Sequence, residues 1–460
     1  MKNKIKAALQ LNGRYEVQIE KMAHEGQGIG KIDGITVFVE GAVPKEKCQI
    51  EIVKVKKDYA IGQVIKVLTP SPDRKVPQCI NADKCGGCNL QHMTYEAQLL
   101  FKTSKVKDSL KRIGHIDAEV IDTIGMQQPW HYRNKSQYPV AKQGNSTVMG
   151  FYKKRSHDIV DLENCLIQHP ISDKVMQIIK RWLTRYDISI YDELKHEGLI
   201  RHVMVRVGNK SKEVMAALIA NGKEIPHTDD LIKMLQCDIP GFKSLILNIN
   251  TKKTNVIMGE KNITLYGSPY IYDYIGDIKF RLSPLSFFQV NPIQAEVLYN
   301  KVLEYAGITQ DEIVLDLYCG TGTITLFLAQ KAKKAYGIEL VSQAVADARL
   351  NAKINGINNA EFIEGAAEAV LPKMAEEGIK PDIIVVDPPR RGCDEKTLKT
   401  ITKISPKKII YVSCNPATLA RDLRYLEDKG YKTQKAQPVD MFPQTSHVEC
   451  VVLMTNVKNK

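Results

Sequence analysis

Cys414 lies in Tyr411-Val412-Ser413-Cys414-Asn415-Pro416, and 27 positions before it Asp387 opens the motif Asp387-Pro388-Pro389-Arg390. Each follows an apolar run rich in β-branched residues, Lys408-Ile409-Ile410 in one case and Ile383-Ile384-Val385-Val386 in the other. Such runs read as buried strands that stop abruptly, so both residues are expected at the carboxyl edge of a parallel sheet. Open α/β sheets bind ligands at that edge. A thiol there could act as a nucleophile beside a nucleotide-type cofactor, whereas an isolated buried cysteine could equally be packing. Its neighbours decide between the two.

The clearest of those neighbours begins at Glu312. Ile313-Val314-Leu315-Asp316-Leu317 reads as a buried strand, Tyr318-Cys319-Gly320-Thr321-Gly322-Thr323 as a Gly-rich turn and Ile324 to Lys331 as a helix. Ala335-Tyr336-Gly337-Ile338-Glu339 is then a second strand ending in an acid. This is a βαβ unit whose turn can approach a ligand closely at Gly320 and Gly322. Glu339 is placed to accept hydrogen bonds from ribose hydroxyls. The third glycine of a dinucleotide fingerprint is absent, because Thr325 holds that place. A cofactor with a ribose and a zwitterionic tail, S-adenosylmethionine, fits better than a pyrophosphate. Further strands at Glu361-Phe362-Ile363, at Asp382 to Asp387 and at Lys408 to Ser413, and a final antiparallel pair near Tyr431 and Val448, complete a doubly wound sheet of the methyltransferase type.

Upstream, Cys79, Cys85 and Cys88 are spaced x5 and x2 around Gly86-Gly87. Two cysteines so close in a Gly turn can share one metal centre and the third can wrap back to it. A fourth ligand is needed, and Cys165 is the candidate. Four thiolates admit zinc or an iron–sulfur cluster, and spacing does not choose between them.

The chain has 460 residues, enough for two or three domains, and a formal net charge of +13, which suits a polyanionic partner. Ten cysteines in a chain without a signal-like segment point to a cytoplasmic protein using some thiols for metal or catalysis. Lys2, Lys4 and Lys6 precede an apolar stretch too short for a signal peptide, and no run reaches the ~18 residues of a membrane span. Five short strands between Tyr15 and Val64 predict a small OB-like barrel with a basic face, closed by the Pro-rich segment Thr69 to Pro77. Glu96 to Arg112 reads as a basic amphipathic helix. Pro129 to Tyr138 interleaves aromatic and basic residues, as needed to stack on bases and hold phosphates. From there to about Ile278 an α+β region is expected.

With these residues in view, the chain closely resembles the RNA uracil-C5 methyltransferases. The motifs that carry the resemblance are Ser286-Phe287-Phe288-Gln289-Val290-Asn291, Asp316 to Gly322, Asp387-Pro388-Pro389-Arg390, Ser413-Cys414-Asn415-Pro416 and Asp440 to Glu449. The resemblance implies a class I, Rossmann-like catalytic domain at 279–460. It also implies a TRAM barrel at 1–68 and a central region at 69–278, whose helix near 95–113 can pack with the catalytic domain. It implies S-adenosylmethionine contacts at Gln289, Tyr318, Glu339 and Asp387, with Cys414 as nucleophile and Glu449 as base. Cys79, Cys85, Cys88 and Cys165 look like the [4Fe-4S] ligands of the 23S ribosomal RNA branch, which makes the cluster the expectation over zinc; the bacterial transfer RNA branch typically lacks both cluster and barrel. Gln444 stands where members often have histidine. A monomer acting on 23S ribosomal RNA, away from membranes, is the expectation.

The implied chemistry needs these residue types. Uracil C5 is too weak a nucleophile to attack a sulfonium methyl directly, but a thiolate added at C6 makes an enolate that can. The C5 proton must then leave so that the cysteine can be eliminated, which calls for a base. The target uridine must be unstacked, with Phe287 or Phe288 as a wedge or stacking partner, or else both as core. Methylation of transfer RNA and a non-catalytic iron–sulfur RNA-binding protein are the competing readings. An exocyclic amino methyltransferase would usually place an aromatic residue where Arg390 stands.

Overall fold

The computed structural model describes residues 9–457, so Lys2, Lys4, Lys6 and the start of the 1–68 region lie outside the described residues. Strands Arg14–Met22, Gly28–Ile32, Ile35–Glu40, Lys47–Val55 and Tyr59–Thr69 close into a barrel in the order first, second, third, fifth, fourth. Alternation fills it: Val17, Ile19, Val37, Val39, Ile50 and Ile52 point inward and are buried. Buried Glu46 pairs with Arg74 of the following segment, and so fixes how the chain leaves the barrel.

An eight-stranded sheet carries the carboxyl-terminal half. Its order is Ala360–Glu364, Lys334–Glu339, Ile313–Leu317, Ile383–Val386, Lys408–Ser413, Glu449–Asn456, Tyr431–Val439 and Glu119–Val120. The first five strands are parallel, and Glu449–Asn456 pairs antiparallel with both of its neighbours. This is the doubly wound α/β methyltransferase architecture that the pattern predicts. Its central strands Ile313–Leu317, Ile383–Val386 and Lys408–Ser413 are buried on both faces, which explains their continuous apolar runs.

A second sheet of seven strands, from Lys135–Gln143 to Lys261–Gly267, lies between parts of this catalytic unit in the sequence. Val203, Val205 and Leu218 pack on one face with Trp182 of helix Pro170–Arg185. On the other face Met204, Met215 and Ala217 join the core that holds Phe288, Leu298 and Tyr299. The two sheets therefore share a hydrophobic core.

One expectation needs correction and two are narrowed. Helix Tyr95–Ser109, continued by a π-helical turn at Leu110–Gly114, lays an apolar face on the catalytic unit, where Val106 and Leu110 pack with Leu315 and Val386, and one of its lysines, Lys102, is wholly buried there. The Pro129 to Tyr138 stretch does not offer its tyrosines for stacking, because Tyr132 and Tyr138 are buried and the Tyr138 hydroxyl donates to Asp173. The two-residue alternation of the Lys135–Gln143 strand sends Tyr138 into a core, since both faces of that sheet are covered. Phe288 is core too, 5.6 Å from the Phe280 ring, while Phe287 is 68% exposed.

Candidate functional site

The site lies where parallel strands end together. Leu317 pairs with Val386 and Val386 with Tyr411, so Tyr318, Asp387 and Cys414 emerge at one edge. In the antiparallel pair Ser413 faces Cys450, and Cys414 and Glu449 lie next to that pair at one end of their strands. After Cys414 the chain turns directly into helix Pro416–Glu427. Asn415 caps that helix by accepting from the Ala417 N–H at 3.1 Å, and Pro416 takes a first-turn position whose N–H would go unused. The Asn415 amide also donates to the Arg390 carbonyl at 3.0 Å, which ties the Cys414 turn to the Asp387-Pro388-Pro389-Arg390 turn.

The Gly-rich turn is wound through the left-handed region at Tyr318, Gly320 and Gly322, with φ of 67°, 55° and 83°. A left-handed tyrosine is unusual and is held here by the N–H it donates to Ile338 O at 3.0 Å. Glu339 accepts from the Gly320 N–H at 3.0 Å and from the Val341 N–H at 2.9 Å, so the acid braces the turn. A carboxylate has four lone-pair sites, so accepting capacity remains for a ligand. Thr325, at the missing third glycine, donates to buried Asp316 at 2.6 Å. Burial pushes the Asp316 carboxyl up to about 8.

One cavity of about 750 Å³ is lined by Gln289, Tyr318, Asp387, Cys414 and Glu449. Glu339 is not part of this lining and stands beside it, behind the turn it braces. Burial pushes the Cys414 thiol up to about 11, with the charges of Glu449 and Asp387 adding and Arg390 opposing. Burial, then Asp387, drives the Glu449 carboxyl well above the usual carboxylate range, again against Arg390. Asp387 rises to about 6 through burial alone. The arrangement is a half-buried thiol and a buried carboxylic acid facing one cavity, each set to ionise when a ligand brings charge near it.

The same cavity is lined at its other end by Cys79, Cys85, Cys88 and Cys165, all free thiols. The first three are wrapped by local hydrogen bonds: Gly87 N–H donates to Cys85 Sγ at 3.4 Å and Gly86 N–H to Tyr152 O at 2.9 Å. The Cys165 N–H donates to Asp173 at 3.0 Å. Burial pushes Cys88 up to about 11 and Cys165 up to about 12. Among the described residues no three His, Cys, Asp or Glu side chains are arranged around the position of a single metal ion. A single zinc ion would require its donors in a tight tetrahedron. A four-iron cluster takes each thiolate on a separate corner and tolerates wider spacing.

Residues not singled out in the sequence also enter the site. Phe442, Thr445 and His447 line the cavity and belong to the loop between strand Tyr431–Val439 and Glu449. That loop is pinned from outside the catalytic sheet. Lys102 pairs with Asp440, Tyr132 donates to the Pro443 carbonyl, Gln98 bonds Gln444 and Asn89 bonds Ser446. The Asp440 to Glu449 motif marks the loop in the sequence, but nothing local marks its partners, which lie more than three hundred positions away.

The chain matches the tRNA (Uracil-5-)-methyltransferase family over residues 94–457 and the TRAM domain over residues 10–65. It is 53% identical over 452 residues to an uncharacterized RNA methyltransferase of Caldanaerobacter subterraneus subsp. tengcongensis, covering 98% of this chain and 99% of that one. It is 50% identical over 459 residues to another of Bacillus cereus, covering both chains completely. Among solved structures it is similar to the Pyrococcus abyssi tRNA (uracil-54, C5)-methyltransferase in complex with S-adenosyl-L-homocysteine. There the TM-score is 0.76 at 29% identity, over 96% of this chain and 100% of that one.

Proposed function

The chain belongs to the tRNA (uracil-5-)-methyltransferase family and carries a TRAM domain, and from that premise we propose that it methylates C5 of a uridine in 23S ribosomal RNA. One observation carries the reaction: Cys414 and Glu449, next to the Ser413–Cys450 pair at one end of their strands, line the same cavity as Gln289, Tyr318 and Asp387.

In this reading Cys414 ionises, giving its proton to solvent, and the thiolate sulfur adds to uracil C6, making an enolate in which C5 carries the electron density. When bound, S-adenosylmethionine would supply an electrophilic methyl carbon to that C5, its S–CH3 bond breaking to leave S-adenosylhomocysteine. Glu449 then takes the C5 proton, the C6–S bond breaks and Cys414 is released as thiolate. Gln289, Tyr318 and Asp387 hold the cofactor against the reacting ring, and Glu339 holds the ribose while it braces the Gly320 turn. Arg390 eases ionisation of both Cys414 and Glu449, since its charge opposes the burial that keeps them neutral. Exposed Phe287 at the cavity rim is the stacking partner for an unstacked base, a role closed to buried Phe288.

The division of labour follows the chain. Residues 1–68 bind RNA, 69–278 hold a cluster and recognise the substrate, and 279–460 perform the transfer, with the helix at 95–113 serving the catalytic unit. Cys79, Cys85, Cys88 and Cys165 hold a [4Fe-4S] cluster; four soft donors lining one cavity support a thiolate-held centre, and the resemblance to the 23S ribosomal RNA branch favours the cluster over zinc. Because all four ligands come from protein, no iron is open to substrate and the cluster serves structure. We take the enzyme to work as a cytoplasmic monomer. No helix among the described residues is long and apolar enough to cross a membrane.

Incubating the protein with methyl-labelled cofactor and, separately, unmodified 23S ribosomal RNA and transfer RNA tests the substrate. Label in 5-methyluridine of 23S RNA is expected; label confined to transfer RNA would reassign the target and keep the chemistry.

A further inference from the structure

Beside the catalytic cavity lies a second chamber of about 390 Å³ that shares Arg133, Phe151, Gln168, Phe287, Phe288 and Val290 with it, while Lys135, Gln137 and His202 line the chamber alone. Its size falls within the range of small-ligand pockets. Arg133, Lys135, Gln137 and His202 line it, and no Asp or Glu does. None of the four candidate cofactor contacts, Gln289, Tyr318, Glu339 and Asp387, lines it either.

Ser286 and Gln168 of the lining are hydrogen-bonded, whereas His202, Lys135 and, beside the chamber, Arg206 keep unpartnered groups among the described residues. His202 is 6% exposed and its Nδ1 makes no hydrogen bond. Lys135 makes no ion pair among the described residues, and burial with the nearby charge of Arg206 pushes its ammonium down to about 7. Directly across the strand pair from Lys135, Arg206 is 1% exposed. One of its nitrogens donates to the Ser286 carbonyl at 2.8 Å, while Nε and Nη1 have no partner. Asp273 acts on Arg206 from a distance, but its oxygens already accept from the N–H groups of Asn209 and Lys210. Burying cations without counter-charge is costly, and an anion in the chamber would offset that cost.

We propose that this chamber receives a second nucleotide of the substrate RNA, a strand neighbour of the methylated uridine, with its phosphate on Lys135 and its base edge facing Gln137 and His202. The proposal rests on reading the protein as an RNA methyltransferase. A phosphodiester is the anion favoured here because the chamber adjoins the reacting cavity at exposed Phe287. The cofactor's carboxylate is the other anion at hand, and its candidate contacts all lie elsewhere. Neutral His202 and the Gln137 amide suit a base edge, since each can donate and accept.

The test uses labelled hexauridylate, which commits to neither ribosomal nor transfer RNA, titrated by anisotropy over a range of salt. Lys135→Met is expected to weaken binding about tenfold and to make the log–log salt slope shallower by about 0.7, the loss of one single-strand phosphate contact. Lys135→Arg should restore the slope, and affinity for S-adenosylhomocysteine should stay within about twofold. Unchanged hexauridylate affinity and slope would overturn the proposal. So would a selective loss of S-adenosylhomocysteine affinity, which would give the chamber to the cofactor. Should Lys135→Met fail to fold, Gln137→Trp fills the chamber and must weaken hexauridylate for the proposal to stand. Wild-type protein that does not bind hexauridylate would count against the RNA reading itself, whereas binding that Lys135→Met leaves unchanged would sink only the chamber.

Discussion

Lys102 and Asp440 form an ion pair at 2.5 Å with neither side chain reaching water, joining helix Tyr95–Ser109 to the loop that leads into Glu449. Asp440 also accepts from the Tyr95 hydroxyl at 3.0 Å and from the Phe442 N–H at 3.1 Å, while Lys102 donates to the Phe442 carbonyl at 3.1 Å. Satisfied on all sides, the pair holds the loop in place; broken, it leaves a buried charge. Lys102→Met should therefore destabilise the protein by about 3–5 kcal/mol in denaturant unfolding. Lys102→Met combined with Asp440→Leu should recover part of that loss, and a double variant no better than the single would refute the argument.

Cys414→Ala should lower methyl transfer by more than about 10³-fold while calorimetry shows S-adenosylhomocysteine binding intact. The nucleophile is removed at the sheet edge and the Gly320 turn is untouched, so retained turnover would exclude attack by this thiol.

For Glu449→Gln the addition step survives and the elimination step does not. Turnover should fall by about 10²-fold or more, and a covalent protein–RNA adduct should survive denaturing electrophoresis. Absence of the adduct in a variant that still binds cofactor would remove Glu449 from the role of base.

In the proposed mechanism Cys414 and Glu449 both act in their deprotonated forms, and burial favours the protonated form of each. Activity is consequently lost as pH falls and gained as it rises. With the thiol held near about 11 in the free protein, kcat/KM should climb about tenfold per pH unit from neutral toward pH 9 while thiol ionisation is limiting. A flat profile over that interval would mean that the thiolate forms by internal proton transfer, not by equilibrium with solvent.

Protein purified without oxygen should show broad visible thiolate-to-iron absorbance, with iron and acid-labile sulfide at four each per chain. Cys165→Ser should lose that absorbance and lower stability while leaving S-adenosylhomocysteine binding in place. A colourless preparation carrying one zinc per chain would replace the cluster by a single ion.

Local pattern was enough for much of the catalytic unit. The β-branched runs ending in Asp387 and Cys414, the turn from Tyr318 to Gly322 and the acid at Glu339 each depend on a few adjacent residues, and each forms as expected. Thr325 was legible as a departure from the dinucleotide fingerprint, though not as the partner of Asp316. The aromatic and basic stretch at Pro129 to Tyr138 misled, because alternation tells which residues share a face and not which face water reaches.

By itself, then, the sequence determined the residue types and their order at strand ends, since backbone sterics and two-residue alternation act over short distances. Only the tertiary structure decided that Cys414 and Glu449 share one cavity, that the four cysteines open onto it too, and that Lys102 is spent on Asp440 instead of on a polyanion. Those relationships join residues tens to hundreds of positions apart. They are set by sheet register and by the pairing of buried charge, which no local pattern encodes.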